Sequence, residues 1–463
     1  MSRQSRLLIR ILSTVVLFAL ASLTVSASKV TLTVLHGQAM YNLEAWNRFL
    51  AAFEAAHPDI EIDLIAPPCG EAQDKIVTMT ATGVPLDVVF NNCVSDYPTL
   101  AFQSAFVDLT SLVTRDEAEL NTRDLVPGTL DAVRQLGRIY GIMFTLSPPF
   151  GVAYNARHID EAGLARPPVA FDDPGWTWEK AMDCARHLTR VSADGTVERY
   201  GFEPSWNIFV HAVAQGSDFF PAEDYQNGIV SKATIATADN LRIANTLWEM
   251  HFERKVSPIL NTMPDGTATW TAFGQGRMGM FLVSLGGYNW PTAQSSVAPW
   301  SPGQPFGMAG YPAPTGVKLT RVPGWRNVVG ISRNTRDVET AWKFIKWLLT
   351  GAYEHPELLV ATGTNGVRLS HWRTLAARIH AANPNEWAMS ANELAVYVQT
   401  ALGVWLPMPF QTTILGSSEI NDIVNQQLMR ARRNEISVEE ALREAQRLAD
   451  VRIAGIRASL GIE

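Results

Sequence analysis

Cysteine is scarce in this chain. Three residues in 463, Cys69, Cys93 and Cys184, stand without any Cys-x-x-Cys spacing. That excludes a thiolate-built zinc site and a thioredoxin-like redox motif, and an odd count leaves at least one thiol unpaired. Positive charge is also in deficit, with 38 Lys and Arg against 45 Asp and Glu. Nucleic acid and anionic membrane surfaces both need basic patches, so neither is an expected partner. Catalytic signatures are missing as well. The sequence has no His-Glu-x-x-His, no Gly-x-Ser-x-Gly and no phosphate-cradling glycine loop. Its nine His are scattered, without metal-ligand spacing. No catalytic residue, metal or cofactor is therefore expected. Asp and Glu are plentiful, and a carboxylate pair for glycoside hydrolysis stays open, but nothing selects any two of them.

Long apolar runs are confined to the N-terminus. Arg3, Arg6 and Arg10 form a basic head, residues 11–25 are apolar, and Val25, Ser26 and Ala27 supply the small residues that a signal peptidase reads. Residues 1–27 thus read as a secretory signal peptide, with an uncleaved anchor as the alternative. No Cys stands at the cleavage site, so no lipid anchor is expected. The protein is placed in the periplasm or outside the cell. Removing the signal takes away three arginines and no acid, so 35 basic residues face 45 acidic ones, a formal charge of −10. About 435 residues exceed one compact core, and two lobes are expected.

Strand and helix periods alternate from residue 30 onward. Residues 30–35, 60–65 and 86–90 are β-branched and apolar, while 42–57 and 71–82 carry apolar residues at helical spacing. Strand, helix, strand, helix, strand implies an α/β architecture with doubly wound, parallel sheets. Ligands on such sheets sit outside the carboxyl ends of the strands. Those ends lead here into 36–41, 66–70 and 91–96. Further strands are expected at 140–144, 152–155, 277–283, 306–311 and 328–331, and helices at 178–189, 238–251 and 338–349. Ser437 and Glu440 form a capping box that opens a final helix.

Aromatic side chains are the positive signal, with 14 Trp, several beside Gly and Pro. Flat rings suit the C–H faces of sugars, and Asn, Asp, Gln and Arg bond their hydroxyls. Trp46, Trp178, Trp248, Trp342 and Trp347 lie in helical patterns and read as core. Trp290 and Trp325 lie on glycine-rich breaks, where ligand contact and packing are both open readings.

Several blocks, taken in order, resemble a known family. "HPDIEIDLI", "TGVPLDVVFNN" followed by "FVDLTSLV", "YGIMFTLSPPFGVAYNARHIDEAGLARPP", "WTWEKAMDCARHLT", "FGQGRMGMFLVSLGGY" and "VVGISRNTRDVETAWKFIKWLLT" are similar to the extracellular solute-binding proteins of carbohydrate ABC importers, the group that contains maltose-binding protein. "TGTNGVRLS" resembles the small-residue turn near the third crossing, but lacks the Pro usual there. The resemblance implies a two-lobed periplasmic-binding-protein fold with three interlobe crossings. Residues 28–145 and 329–372 would form lobe 1, and 146–328 and 373–463 lobe 2. It implies no catalysis, a small carbohydrate ligand, closure about a hinge, delivery to the importer's permease subunits, and a monomer. Carried over motif by motif, it marks Gln38 and Tyr41 after the first strand, and Asn91, Asn92 and Asp96 after the third. It also marks Trp206, Tyr288 and Trp290 in the second lobe, and Trp325 and Arg326 before the second crossing. Cys69 and Cys93 follow two strands that should flank the first, so a disulfide between them and a pair of separate buried thiols are both open.

Three other functions compete at this point. The same fold also suits a polyol, a phosphorylated glycerol or a small peptide; a phosphate would want several cations, and only Arg326 is evident. A secreted glycoside-active enzyme would turn oligosaccharides into product. A bland scaffold is disfavoured by the Trp-rich loops.

Overall fold

The computed structural model describes residues 29–91, 93–94, 96–147, 149–205, 207–259, 262–284, 305–382, 387–408 and 413–462. The strands are β1 (Val30–Leu35), β2 (Ile60–Ile65), β3 (Val88–Phe90), β4 (Val133–Gln135), β5 (Arg138–Leu146), β6 (Phe150–Asn155), β7 (Arg190–Val191), β8 (Val197–Glu203), β9 (Met278–Ser284), β10 (Phe306–Ala309), β11 (Val322–Gly324), β12 (Arg326–Ile331) and β13 (Trp405–Pro407). The helices that position the site are α1 (Leu43–Ala56), α2 (Ala72–Thr82), α3 (Tyr97–Phe102), α4 (Trp178–Leu188), α5 (Ile208–Ala214), α6 (Ala222–Asn227), α7 (Ala238–Phe252), α8 (Val338–Leu349), α9 (Ser417–Arg432) and α10 (Val438–Ser459).

Two sheets carry the fold. The first has the order β2-β1-β3-β12-β5-β4 and the second β10-β6-β9-β8-β7; β11 and β13 form a separate parallel pair. The opening β1-α1-β2-α2-β3 unit is parallel as the sequence predicts, with Val30 opposite Ile60 and Val34 opposite Val88. The side chain of Asn42 caps α1, which buries Trp46, Phe49, Leu50 and Phe53 against the sheet. β12 enters the same sheet reversed, antiparallel to both β3 and β5. β6 is buried along its whole length, which is why it reads as a continuous apolar run rather than an alternating one.

Trp46, Trp342 and Trp347 are core, as expected, and the Trp342 indole N–H donates to Asp116 at 2.7 Å. Trp178 and Trp248 pack against the core but stay partly exposed. Strand β8 is absent from the sequence reading. Its charged residues Glu198 and Arg199 mask the alternation, because Arg199 is buried and donates its Nε–H to the Leu188 carbonyl at 2.8 Å. β12 starts at Arg326, three residues ahead of the return to lobe 1 expected at 329. The register shifts between Asn327 and Val328, which breaks the side-chain alternation there.

Candidate ligand-binding site

The strand directions decide where a ligand fits. β5 leaves the first sheet at Leu146, and β6 begins the second at Phe150. Leu146 lies opposite Arg326 at the start of β12, and β12 continues antiparallel to β3, so Leu146 and the carboxyl ends of β1, β2 and β3 share one edge. In the second sheet Phe150 lies opposite Ser284, the last residue of β9, and β8 runs parallel beside β9. The carboxyl ends of both sets of parallel strands therefore face the crossings, and through them each other. This is the edge at which open α/β sheets bind ligands.

The crossings are packed together. The Ser147 N–H donates to the Trp325 carbonyl at 2.7 Å, and the Trp405 indole donates to the Ser147 carbonyl at 3.2 Å. Asn365, on the third expected crossing, donates its N–H to Thr145 Oγ1 at 2.9 Å and its Nδ2 to the Leu146 carbonyl at 3.3 Å. Gly324 admits this packing: a Cβ there would meet Trp405 Nε1 at 2.6 Å and the Ser147 carbonyl at 2.7 Å. Trp325 is half-buried at this junction, its ring 6.0 Å from Phe150.

On the first-lobe side, His36 follows β1 and caps the turn Gly37–Asn42, accepting the Ala39 N–H on its Nδ1 at 3.2 Å. That turn carries Gln38 and Tyr41, whose side chains lie outside the described part. His36 is buried between Trp46 and Phe90, and burial pushes its pKa down to about 3. It is a fixed neutral support. Asn91 is also buried. Its N–H donates to the Val328 carbonyl at 2.9 Å and its Oδ1 accepts the Val328 N–H at 2.6 Å, so it pins the end of β3 to β12. Asn92 lies outside the described residues.

Asp96 caps α3, accepting from the Thr99 N–H at 3.2 Å and the Thr99 hydroxyl at 2.6 Å. Burial pushes its carboxyl up, the bonds from Thr99 pull it back, and the charges of Glu419 and Arg452 on α9 and α10 reach it. Cys69 and Cys93, on the loops after β2 and β3, form a disulfide with Cα atoms 4.7 Å apart. The order β2-β1-β3 brings their loops together, which decides between the two readings left open by the sequence.

Arg326 is buried rather than presented to the gap. Its Nη2 donates to the Ala132 carbonyl and to Thr413 Oγ1. Burial lowers its pKa to about 10. It ties the first-sheet side of the chain to the C-terminal segment.

Trp206, Tyr288 and Trp290 lie outside the described residues. The segments that lead to them leave the carboxyl ends of β8 and β9, which are neighbours. The turn before Trp206 has its own support, which the sequence did not disclose. His211 holds the Pro204 and Ser205 carbonyls on Nε2, at 2.8 and 2.9 Å, and the Tyr311 hydroxyl lies 2.8 Å from its Nδ1. Glu203 accepts the Ser205 N–H at 3.0 Å. No short motif joins Glu203, His211 and Tyr311, since 108 residues of sequence separate the first from the last.

Burial pushes the Glu203 pKa up to about 8, with Arg432 and the Ser205 amide pulling it back. The unfolded carboxyl titrates near its ordinary value of about 4.3. Between those values the folded state holds a proton that the unfolded state has lost, so this group makes stability fall as pH rises from about 4.5 to about 8. Glu203→Gln removes that term. The melting temperature of the variant minus that of the wild type is expected to rise across this window and level off above it. A difference that does not change with pH, measured by thermal denaturation at half-unit steps, contradicts the assignment.

Residues 41–354 match the family described as bacterial extracellular solute-binding proteins. This chain belongs to that family. No curated protein matches it in sequence. Solved structures share its fold at low identity. The sugar-binding protein MalE of Xanthomonas citri is 18% identical with a TM-score of 0.69, covering 94% of this chain and 100% of that one. An ABC substrate-binding protein of Listeria monocytogenes in complex with cycloalternan is 18% identical with a TM-score of 0.68, covering 94% and 100%. A cyclic alpha-maltosyl-1,6-maltose binding protein of Arthrobacter globiformis is 19% identical with a TM-score of 0.67, covering 92% and 99%. The two-lobed α/β fold expected from the sequence is thus the fold of this solute-binding protein. Among the described residues no helix is long and apolar enough to cross a membrane, and no cluster of His, Cys, Asp and Glu fits a metal ion.

Proposed function

We propose that this protein is the exported substrate-binding component of an ABC importer, and that it holds a neutral sugar or oligosaccharide between its lobes for delivery to membrane permease subunits. One observation carries the reading: in a chain of the solute-binding family, the parallel strands of both sheets point their carboxyl ends at the same crossings. The sugars named for the structural relatives support the ligand class. The division is close to lobe 1 from 28–145 and 326–372, lobe 2 from 146–325 and 373–463, with the return moved from 329 to the start of β12. Residues 1–27 direct export to the periplasm or beyond, and no chemistry is performed on the ligand. Gln38, Tyr41, Asn92, Asp96, Trp206, Tyr288, Trp290 and Trp325 supply the contacts, with Asn91 and Arg326 as supports behind them. A phosphorylated ligand is disfavoured because the Arg326 guanidinium already serves Ala132 and Thr413.

A thermal-shift screen against a sugar panel tests the proposal. A bound ligand stabilises by RT ln(1 + [L]/Kd), about 2.7 kcal/mol at a hundredfold excess over Kd. Trp290→Ala should weaken binding of the best sugar by about 1–3 kcal/mol if the ring stacks on it, with the melting temperature of the free protein unchanged. Unaltered affinity by calorimetry would make Trp290 a packing residue.

A further inference from the structure

The loop after β3 contains a residue in a conformation its side chain does not favour. The Val94 N–H donates to the Asn91 carbonyl at 2.7 Å, closing a four-residue turn, and Cys93 is its third residue with φ 69°. That position of such a turn suits glycine, and a residue with a Cβ is held there at a cost. The surroundings show what holds it. Cys93 is bonded to Cys69, which opens the turn Cys69–Glu71 after β2. One turn further on, Gln73 Oε1 accepts the Asp96 N–H at 3.2 Å. The Cys69–Glu71 turn also touches the Gly37–Asn42 turn after β1. The three loops at the carboxyl edge of the first sheet are thus tied together, and they carry the Gln38–Tyr41 turn and Asp96.

We infer that the Cys69–Cys93 disulfide is a positioning element for ligand binding, fixing the loops after β2 and β3 in their binding arrangement before the ligand arrives. The inference rests on the cleft reading above. Its physical content is preorganisation: a loop ordered in advance does not lose that freedom on binding, so affinity gains without a new contact. Neither cysteine touches ligand. The cross-link acts through the Val94-to-Asn91 bond and through Asp96, whose N–H is held by Gln73.

Two double variants separate the tether from the backbone conformation. Cys69→Ser with Cys93→Ser removes the cross-link and keeps a side chain at φ 69°. Cys69→Ser with Cys93→Gly removes the cross-link and gives the turn the residue it favours. Both are assayed folded, well below their melting temperatures. Amide hydrogen exchange at Val94 and Asp96 is measured without ligand, and the affinity for the best sugar by calorimetry. Faster exchange at both amides in both variants is expected, with affinity about tenfold weaker in each. Unchanged exchange overturns the inference, as does unchanged affinity in a protein whose wild type binds. Full recovery by the glycine variant also overturns it, since the turn conformation alone would then suffice. A wild type that binds no sugar sinks the sugar reading instead, and the exchange data then decide the inference by themselves.

Discussion

Gly228→Ala is expected to weaken ligand binding by about 3 kcal/mol, roughly a hundredfold, while both sheets stay folded. Gly228 ends α6 with φ 74°, and its N–H donates to the Asp224 carbonyl at 2.9 Å. Its own carbonyl accepts the Leu415 N–H at 2.8 Å, which ties it to the C-terminal segment. A Cβ on this residue would lie 2.1 Å from the Arg134 carbonyl of β4, the edge strand of the first sheet. Backbone oxygen does not move aside as a flexible side chain does, so relief of the overlap draws the end of α6 away from β4. The left-handed φ adds about 1 kcal/mol for alanine, which acts on the second side alone. The signature is therefore specific: affinity falls steeply, and small-angle scattering shows a larger radius of gyration at saturating ligand than for the wild type. Wild-type affinity and radius would show that the Gly228–Arg134 approach is not part of the bound form.

Arg326→Ala is expected to destabilise the folded protein by about 3–4 kcal/mol and to uncouple the C-terminal segment from the first sheet. The side chain is 6% exposed and donates to Ala132 on one side and Thr413 on the other, residues far apart in sequence. Bonds from a charged donor are worth more than neutral ones, and truncation leaves buried acceptors unsatisfied beside a cavity. Against this stands the desolvation of the guanidinium, seen in its lowered pKa, which the variant escapes. The bonds should win because two acceptors are lost at once. Arg326→Met, which fills the volume without the charge, should recover part of the loss. Equilibrium denaturation in urea measures both. An alanine variant as stable as the wild type would mean that desolvation of the guanidinium cancels its bonds.

The features legible in the sequence were those fixed over a few residues. The β1, β2 and α8 bounds follow from apolar period alone, and the Ser437–Glu440 capping box is visible as four letters and present as two reciprocal bonds. The Cys69–Cys93 pairing stayed open in the sequence beside two separate thiols; placing two strands either side of a third permits it, and the structure forms it. The site was less legible, because its supports act between distant segments. Asn91 reads as a free amide at a strand end, yet its partner Val328 is 237 residues away. Arg326 reads as a cleft cation until Thr413 is brought to it by a separate excursion of the chain. Glu203 and His211 hold the turn before Trp206, but a buried acid ending a strand looks in sequence like any other charged strand terminus.

The central claim is that a neutral sugar binds between the two sheets without being transformed. Its most direct test is isothermal titration of the mature protein, freed of ligand by unfolding and refolding, with linear and cyclic gluco- and manno-oligosaccharides, followed by chromatography of the recovered sugar. Saturable one-to-one binding of at least one of them is expected, with the oligosaccharide returned intact. Absence of heat and of any melting shift at millimolar concentrations of every neutral sugar, from a protein shown to be folded, would contradict it, as would recovery of a cleaved product.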